Sequence, residues 1–228
     1  MALFGFFITL ILFCVFYLLR NKPFFSKVPV IFSAGVCIML VLTVFQISYE
    51  TYYSSARYLS YLIAPITVVF AYPLYQNSNI LIKNKRALYP ALVMGTLVAI
   101  ASTYFCATLL HAKFIIVLSM LPKSTTMPIA IEISKSIGGY LELTACVVVM
   151  TGVLGALLGH FVLKRFKVTN DVAIGLAMGS ASHVIGTAAC AEKQRSRQVA
   201  AGTIALILVG FLSAILIPLI KYLVHLVK

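Results

Sequence analysis

Tryptophan is absent from this 228-residue chain, and acidic side chains number only five against 18 lysines and arginines. Charged residues make up 10% of the chain, whereas soluble globular domains carry about a quarter. A formal net charge of +13 could suit a nucleic-acid surface, but the cations stand in short clusters between apolar runs. No basic patch is interleaved with aromatic residues, so nucleic acid is excluded as a partner.

The sequence also lacks the common motifs of catalysis and metal binding. Its five cysteines contain no Cys-x-x-Cys spacing and lie in or beside apolar runs, so neither a disulfide framework nor a metal site is expected. Paired carboxylates for hydrolysis, a Ser/His/Asp triad and a phosphate-cradling glycine loop are missing as well. We therefore expect neither an enzyme nor a cofactor.

Apolar residues dominate what is present, at 62% of the chain with a mean hydropathy of +1.06. This composition predicts an all-α integral membrane protein with a single polytopic domain, residues 1–228, in which N-terminal spans occupy 1–58. About 20 apolar residues cross a bilayer. The first run is expected to be a retained span and not a removed signal peptide. Six full spans are predicted: Ala2–Leu19, Val28–Ile47, Leu59–Tyr75, Ala87–Leu110, Tyr140–Leu163 and Val199–Leu219.

Two polar islands interrupt the apolar pattern and predict two broken or re-entrant helical segments, Lys113–Lys135 and Asp171–Ala191. The first island, residues 121–130, reads Leu-Pro-Lys-Ser-Thr-Thr-Met-Pro-Ile-Ala, and prolines disrupt helix interiors. The second, residues 179–188, reads Gly-Ser-Ala-Ser-His-Val-Ile-Gly-Thr-Ala. Broken helix at membrane depth is tolerated only inside protein or along a watery cavity, where transporters place binding sites.

Cation clusters predict the topology, because cytoplasmic loops collect lysine and arginine. If both broken segments dip in and return, all four clusters share the cytoplasmic side; unwound but complete crossings are the alternative. At an offset of 58 residues Ser124 matches Ser182 and Gly152 matches Gly210, which indicates an inverted repeat. The clusters are Arg20/Lys22/Lys27, Lys83/Lys85/Arg86, Lys164/Arg165/Lys167 and Lys193/Arg195/Arg197.

Lys123 is the strongest candidate for a binding residue, since a lysine at membrane depth needs a partner or water. It either attracts a substrate carboxylate or extends from a helix end to the headgroups. The island hydroxyls can bind substrate or satisfy backbone groups freed by the breaks. His183 could couple transport to protons, bond a substrate oxygen, or tie two helices together. The predicted substrate-binding residues are Pro122, Lys123, Ser124, Thr125, Thr126, Pro128, Ser180, Ser182, His183, Gly186 and Thr187.

These motifs resemble the LrgB/CidB family of membrane proteins. The resemblance covers about residue 59 to the C-terminus and rests on both islands, on Ser-Ile-Gly-Gly at 136–139 and on Gly-Val-Leu-Gly-Ala at 152–156. Family members usually read Lys-Ser-Val-Thr-Thr-Pro where this chain reads Lys-Ser-Thr-Thr-Met-Pro. The spacing of the prolines is the same, but one hydroxyl has moved.

The resemblance implies one of two activities. One is transport of small monocarboxylates, because plastid relatives carry glycolate and glycerate and bacterial ones are linked to pyruvate and related acids. The other is antiholin-like regulation of murein hydrolase export and cell lysis, with a small LrgA/CidA-like membrane partner. A bacterial cytoplasmic membrane location, contact with lipid and a homo-oligomer are expected. The cationic helix break favours transport of a small carboxylate.

Overall fold

The computed structural model describes residues 3–20, 22, 28, 30–62, 65, 68–69, 71–76, 78–192 and 195–226. These residues form helices and turns without a strand, in agreement with the all-α prediction. The chain divides into two units, Met1–Val69 and Phe70–Lys228, each with its own internal packing.

The first unit contains three described helices: α1 (Phe4–Leu19), α2 (Val30–Val44) and α3 (Tyr49–Ser60). The first two lie where spans were predicted, but at 16 and 15 residues they are shorter than the four helices long enough to cross a membrane. Helix α3 is the tyrosine-rich stretch that follows the second predicted span, and it begins where Ser48 accepts a hydrogen bond from the Thr51 amide. Of the predicted span at residues 59–75, the structure describes 59–62, 65, 68–69 and 71–75, and the rest lies outside the described residues.

Helices α1 and α3 of this unit are joined by hydrogen bonds between small and aromatic side chains. The Gly5 amide donates to Ser55 Oγ at 2.8 Å, and Thr9 Oγ1 lies 2.8 Å from Tyr52 Oη. Glycine lets the two backbones approach closely enough for the first of these bonds. The unit is therefore held partly by polar contacts between otherwise apolar helices.

The second unit holds both polar islands. Ile82–Leu109, Leu141–Arg165, Asp171–Ala191 and Ser196–Tyr222 are long and apolar enough to cross a membrane. Its elements are α4 (Ala71–Gln76), α5 (Ser78–Leu109), α6 (Phe114–Met120), a 3-10 turn (Leu121–Ser124), α7 (Met127–Ile137), α8 (Leu141–Arg165), α9 (Asp171–Glu192) and α10 (Ser196–Leu226).

Local sequence explains where the elements around the islands begin and end. Pro128 lies in the first turn of α7, where its missing amide hydrogen is no loss. Gly138 ends α7 with φ 77°, a left-handed conformation that glycine adopts without strain. Helix α9 begins after Asn170, whose side-chain oxygen accepts from the amides of Val172 and Ala173.

Helix α5 begins at Ser78, nine residues before the predicted start of its span at Ala87. The cation cluster at 83–86 therefore lies on the first turns of this helix and not in a preceding loop. Lysine and arginine are good helix formers, and their exposed side chains lose little conformational freedom in a helix. Pro90 is accommodated inside the helix.

Packing in the second unit distinguishes inner from outer elements. Within their apolar windows α9 and α10 are 56% and 44% buried, against 28% for α5 and 22% for α8. One buried cluster includes Leu88 and Ile204, and another includes Ile100 and Ile217, so α5 and α10 run in the same direction. The inner helix α9 carries the second island, and its position points to the interior of this unit as the place for a site.

Candidate functional site

The first island lies at the tip of a helical hairpin made by α6, the 3-10 turn and α7. Thr144 Oγ1, on α8, lies 2.8 Å from the Ser119 carbonyl oxygen and 2.7 Å from Ser134 Oγ. Fifteen residues of straight helix would separate Ser119 and Ser134 by about 22 Å. Because one side chain reaches both, the segment folds back, and the turn at residues 121–126 is its far end.

The second island lies at the tip of a second hairpin, within α9. Ser182 and His183 have non-helical backbone torsions. A methyl group built on Gly186 lies 2.5 Å from the carbonyl oxygen of Met178, although eight residues of straight helix span about 12 Å. The two legs of α9 therefore lie side by side, so this stretch is long enough to cross a membrane but returns toward its start.

The two ends of α9 meet at one pair of side chains, which confirms the reversal. Gln198 Nε2 donates to Asp171 Oδ1 at 2.8 Å, at the start of α9. His160 Nε2 lies 3.2 Å from Gln198 Oε1 and 3.9 Å from Cys190 Sγ, near the end of α9. The first and last turns of α9 are therefore neighbours. They lie near His160, whereas the first hairpin contacts the other end of α8, near Thr144.

Each hairpin contacts the long helix that follows it through the first of its two legs. Thr144 of α8 faces Ser119 in the first leg of its hairpin. Its counterpart on α10 at an offset of 58 residues, Gly202, faces Gly175 and Gly179 in the first leg of the other hairpin, on either side of position 177. The breaks also correspond, since the residues after Ser124 and Ser182 both leave helical geometry. Each hairpin is thus followed by one long helix in the same relation.

Polar groups at the first tip differ in how well they are satisfied. Thr125 Oγ1 donates to the Pro122 carbonyl oxygen at 2.8 Å, and Ser124 is buried. Thr126 is 4% exposed, yet its hydroxyl has no hydrogen-bond partner. Lys123 is half-buried, and within the described ranges no hydrogen bond or ion pair engages its ammonium. Among the described residues, this tip therefore holds a lysine and a buried hydroxyl that no protein hydrogen bond satisfies.

The second tip is held mainly by His183. Its Nε2 donates to the Val148 carbonyl oxygen of α8 at 3.0 Å, and Thr187 Oγ1 donates to the His183 carbonyl oxygen at 2.9 Å. The His183 backbone has φ 42° and ψ −132°, a conformation that is strained for a residue with a side chain and often accompanies functional sites. The contact with Val148 favours the interpretation of His183 as a tie between helices.

The first tip packs against the helix that carries the second tip. The 3-10 turn contacts α9 as well as α5, α8 and α10. Ser182 is buried against Gly155 of α8, and Ser180 is half-buried and bonds back to the Ala177 carbonyl oxygen in its own helix. Two of the predicted site residues have structural roles. Pro128 lies in the first turn of α7, and Gly186 lets the two legs of α9 pack together.

Glycines of α8 and α9 let these helices approach their neighbours closely. A methyl group built on Gly152 lies 2.7 Å from His183 Cε1, and one on Gly159 lies 2.5 Å from Met178 Sδ. Gly175 and Gly179 face the α10 backbone in the same way. These glycines therefore seat the second hairpin between α8 and α10.

Sequence reasoning did not identify the hydroxyls that close the first hairpin or the polar pair that closes the second. Ser119, Ser134 and Thr144 stand on three different elements, and nothing in their spacing relates them. His160, near the end of the fifth predicted span, is half-buried and bonded to Gln198, which is fully buried. The sequence did contain one signal for the second contact, because Asp171 and Gln198 are polar residues on either side of the broken segment.

One comparison with known proteins identifies a family. The family model described as the LrgB-like family matches residues 9–223, nearly the whole chain. No solved structure matches the chain.

Proposed function

The chain belongs to the LrgB-like family, and on that premise we propose that it carries small monocarboxylates of the glycolate, glycerate, lactate and pyruvate class across the membrane. The substrate binds between the two helix breaks, at residues 121–126 and 182–183. In this proposal the chain's own side chains bind the substrate, which crosses the membrane chemically unchanged.

The observation that carries this proposal is the unengaged ammonium of Lys123 close in sequence to the unpartnered hydroxyl of Thr126. A lysine at the centre of a bilayer costs ~2.5–3.5 kcal/mol on insertion scales, and a buried hydroxyl without a hydrogen bond costs ~1–3 kcal/mol. A bound carboxylate offsets both costs, because its oxygens accept from the ammonium and from hydroxyls. Because Lys123 has no permanent partner among the described residues, its ammonium can bind a substrate carboxylate reversibly.

We also propose six full crossings and two hairpins that enter from opposite faces of the membrane. Helices α5, α8 and α10 would be three of these crossings. Helix α8 runs from the base of the first hairpin to the ends of α9, as its contacts through Thr144 and His160 indicate. With both hairpins re-entrant, the clusters at 83–86, 164–167 and 193–197 share one side, which the distribution of lysine and arginine makes cytoplasmic.

Regulation of murein hydrolase export with a small membrane partner is the other activity that the family resemblance implies. Such a regulator needs helix surfaces that bind its partner. It has no need of a cation held without a counter-charge inside a hairpin tip. The local chemistry around Lys123 therefore supports the carrier.

The test is uptake of labelled glycolate, lactate and pyruvate by proteoliposomes that contain only this chain. We expect saturable uptake of at least one acid, competed by the unlabelled acids, with empty liposomes as the control. Dye leakage is measured in the same preparation. Absence of uptake, together with leakage only when an LrgA/CidA-like partner is present, would overturn the carrier in favour of the regulator.

A further inference from the structure

A second polar region lies away from the helix breaks, at the end of α8 where the legs of α9 meet. It is a cavity of about 570 Å³ between α8, the following loop, the start of α9 and the start of α10. Its lining includes His160 and Lys164 of α8, Thr169 of the loop, Asp171 and Ile174 of α9, and Arg195 just before α10. The volume is ample for a two- or three-carbon acid.

The charges of this lining favour an anion. Lys164 and Arg195 contribute two cations, and Asp171 contributes the one carboxylate. The Asp171 carboxylate already accepts from Gln198, whose other side-chain atom accepts from His160. One oxygen of the acid is engaged by the contact that joins the ends of α9, and all three charged side chains are exposed. The lining therefore carries two cations against one partly engaged carboxylate. A concave site with an excess of one sign concentrates ions of the other sign.

The position of the cavity relates it to the helix break of the second hairpin. Ile174 lines the cavity and Ser182 lies at the break, eight residues of helix or about 12 Å further along the same leg. Met178 lies between them in a buried apolar cluster with Val153 and Ile185. An apolar barrier therefore separates the cavity from the proposed binding region at the break.

We propose that this cavity is the cytoplasmic vestibule of the carrier and that Lys164 and Arg195 bind the substrate carboxylate there before or after it passes the Met178 barrier. This inference rests on the proposed function for the identity of the anion and for the side of the membrane. The two flanking cation clusters then divide by role, because Arg165 and Arg197 do not line the cavity.

The matched variants come from the same two clusters. Lys164→Gln with Arg195→Gln removes the cations that line the cavity, and Arg165→Gln with Arg197→Gln removes two exposed neighbours from the same cation clusters. Both double variants lower the net charge equally and leave two cations in each cluster for orientation. A difference between them therefore reports the cavity and not the overall charge.

The first measurement needs no transport. Thr169→Cys, in a background without the five native cysteines, puts a thiol at the cavity, and its reaction rates with an anionic and a cationic methanethiosulfonate are compared in detergent at low salt. We expect the anionic-to-cationic ratio to fall roughly tenfold in the Lys164/Arg195 variant and to change little in the Arg165/Arg197 variant. Millimolar glycolate should slow the anionic reaction only where Lys164 and Arg195 are present.

Equal rate ratios in the two double variants, or no slowing by glycolate, would overturn the vestibule. The second measurement is the concentration dependence of glycolate uptake in proteoliposomes. If the unsubstituted chain transports and both doubles transport alike, the vestibule is wrong and the carrier stands. If glycolate protects the thiol but the unsubstituted chain transports none of the three acids, the anion site stands and the carrier is wrong.

Discussion

At the scale of single residues, neighbouring threonines at the first hairpin tip have opposite roles. The Thr125 hydroxyl donates to the Pro122 carbonyl, whereas the Thr126 hydroxyl is buried without a partner. Thr125→Val should lower the free energy of unfolding by ~0.5–1.5 kcal/mol, since it removes a hydrogen bond. Thr126→Val has nearly the same shape and removes no bond, so stability should be kept or rise while glycolate binding weakens.

Thermal unfolding in detergent and glycolate uptake, measured on both variants, check this pair. Each threonine serves as the other's control, because the substitution and the local surroundings are matched. A Thr126→Val protein that is clearly less stable than the unsubstituted chain would contradict the assignment of a free ligand-binding hydroxyl. So would unchanged uptake affinity in that variant.

Lys123 is expected to supply the substrate's counter-charge. Lys123→Gln keeps the length and hydrogen-bonding capacity but removes the charge, and a hydrogen bond to a charged group contributes ~1.5–3 kcal/mol. The apparent affinity for glycolate should therefore fall by roughly ten- to a hundredfold. Lys123→Arg should also transport poorly, because a planar guanidinium does not replace a compact ammonium at a tight site.

The control for Lys123 is Lys135→Gln, since Lys135 is an exposed cation on α7 of the same hairpin. Concentration-dependent uptake is measured for all three variants, and correct folding is checked by gel filtration. If Lys123→Gln folds and transports with unaltered affinity, the lysine anchors the hairpin at an interface and the binding role is wrong.

At the scale of elements, the second hairpin depends on a glycine between its legs. Gly186→Ala places a methyl group 2.5 Å from the Met178 carbonyl oxygen and 2.6 Å from Ser182 Cβ, and backbone cannot move aside as a flexible side chain can. Overpacking of this kind typically costs ~1–3 kcal/mol. We expect a lower unfolding temperature and loss of glycolate uptake.

Gly95→Ala is the matched control, because a methyl group there meets nothing within 4 Å. Alanine favours helix over glycine by ~0.8–1.0 kcal/mol, so this variant of α5 should be as stable as the unsubstituted chain or more so. Thermal unfolding of both variants decides the matter. Equal behaviour of the two would mean that the legs of α9 are not packed as described.

Sequence alone located the breaks but not the contacts that fold them back. Prolines at 122 and 128 and the polar second island were enough to predict interruptions, because no continuous apolar helix could contain them. The cation clusters then favoured re-entrant segments over complete crossings. The strained backbone of His183 and its bond to Val148 could not be predicted, since they depend on where Gly152 lets α9 approach α8.

At the scale of the whole molecule, the proposed topology puts residues 85, 165 and 195 on the cytoplasmic side. Single cysteines at these positions, in a background lacking the native five, should resist an impermeant thiol reagent added to intact cells and react after permeabilisation. Glu142→Cys, exposed at the start of α8, should react from outside and serves as the positive control. Labelling of position 165 from outside would contradict the re-entrant arrangement.

The bond from Lys221 to the Ile137 carbonyl has a consequence for biosynthesis, because its two residues are 84 positions apart. At ~5–20 residues per second, a ribosome finishes Lys221 about 4 to 17 s after Ile137. Throughout that interval α7, at 11 residues too short to cross a bilayer, lacks both this ammonium and the packing of Ile217. We therefore expect the first hairpin to stay incompletely packed until the last helix is made. A chain truncated before residue 217 should be less stable in this hairpin, far from the cut.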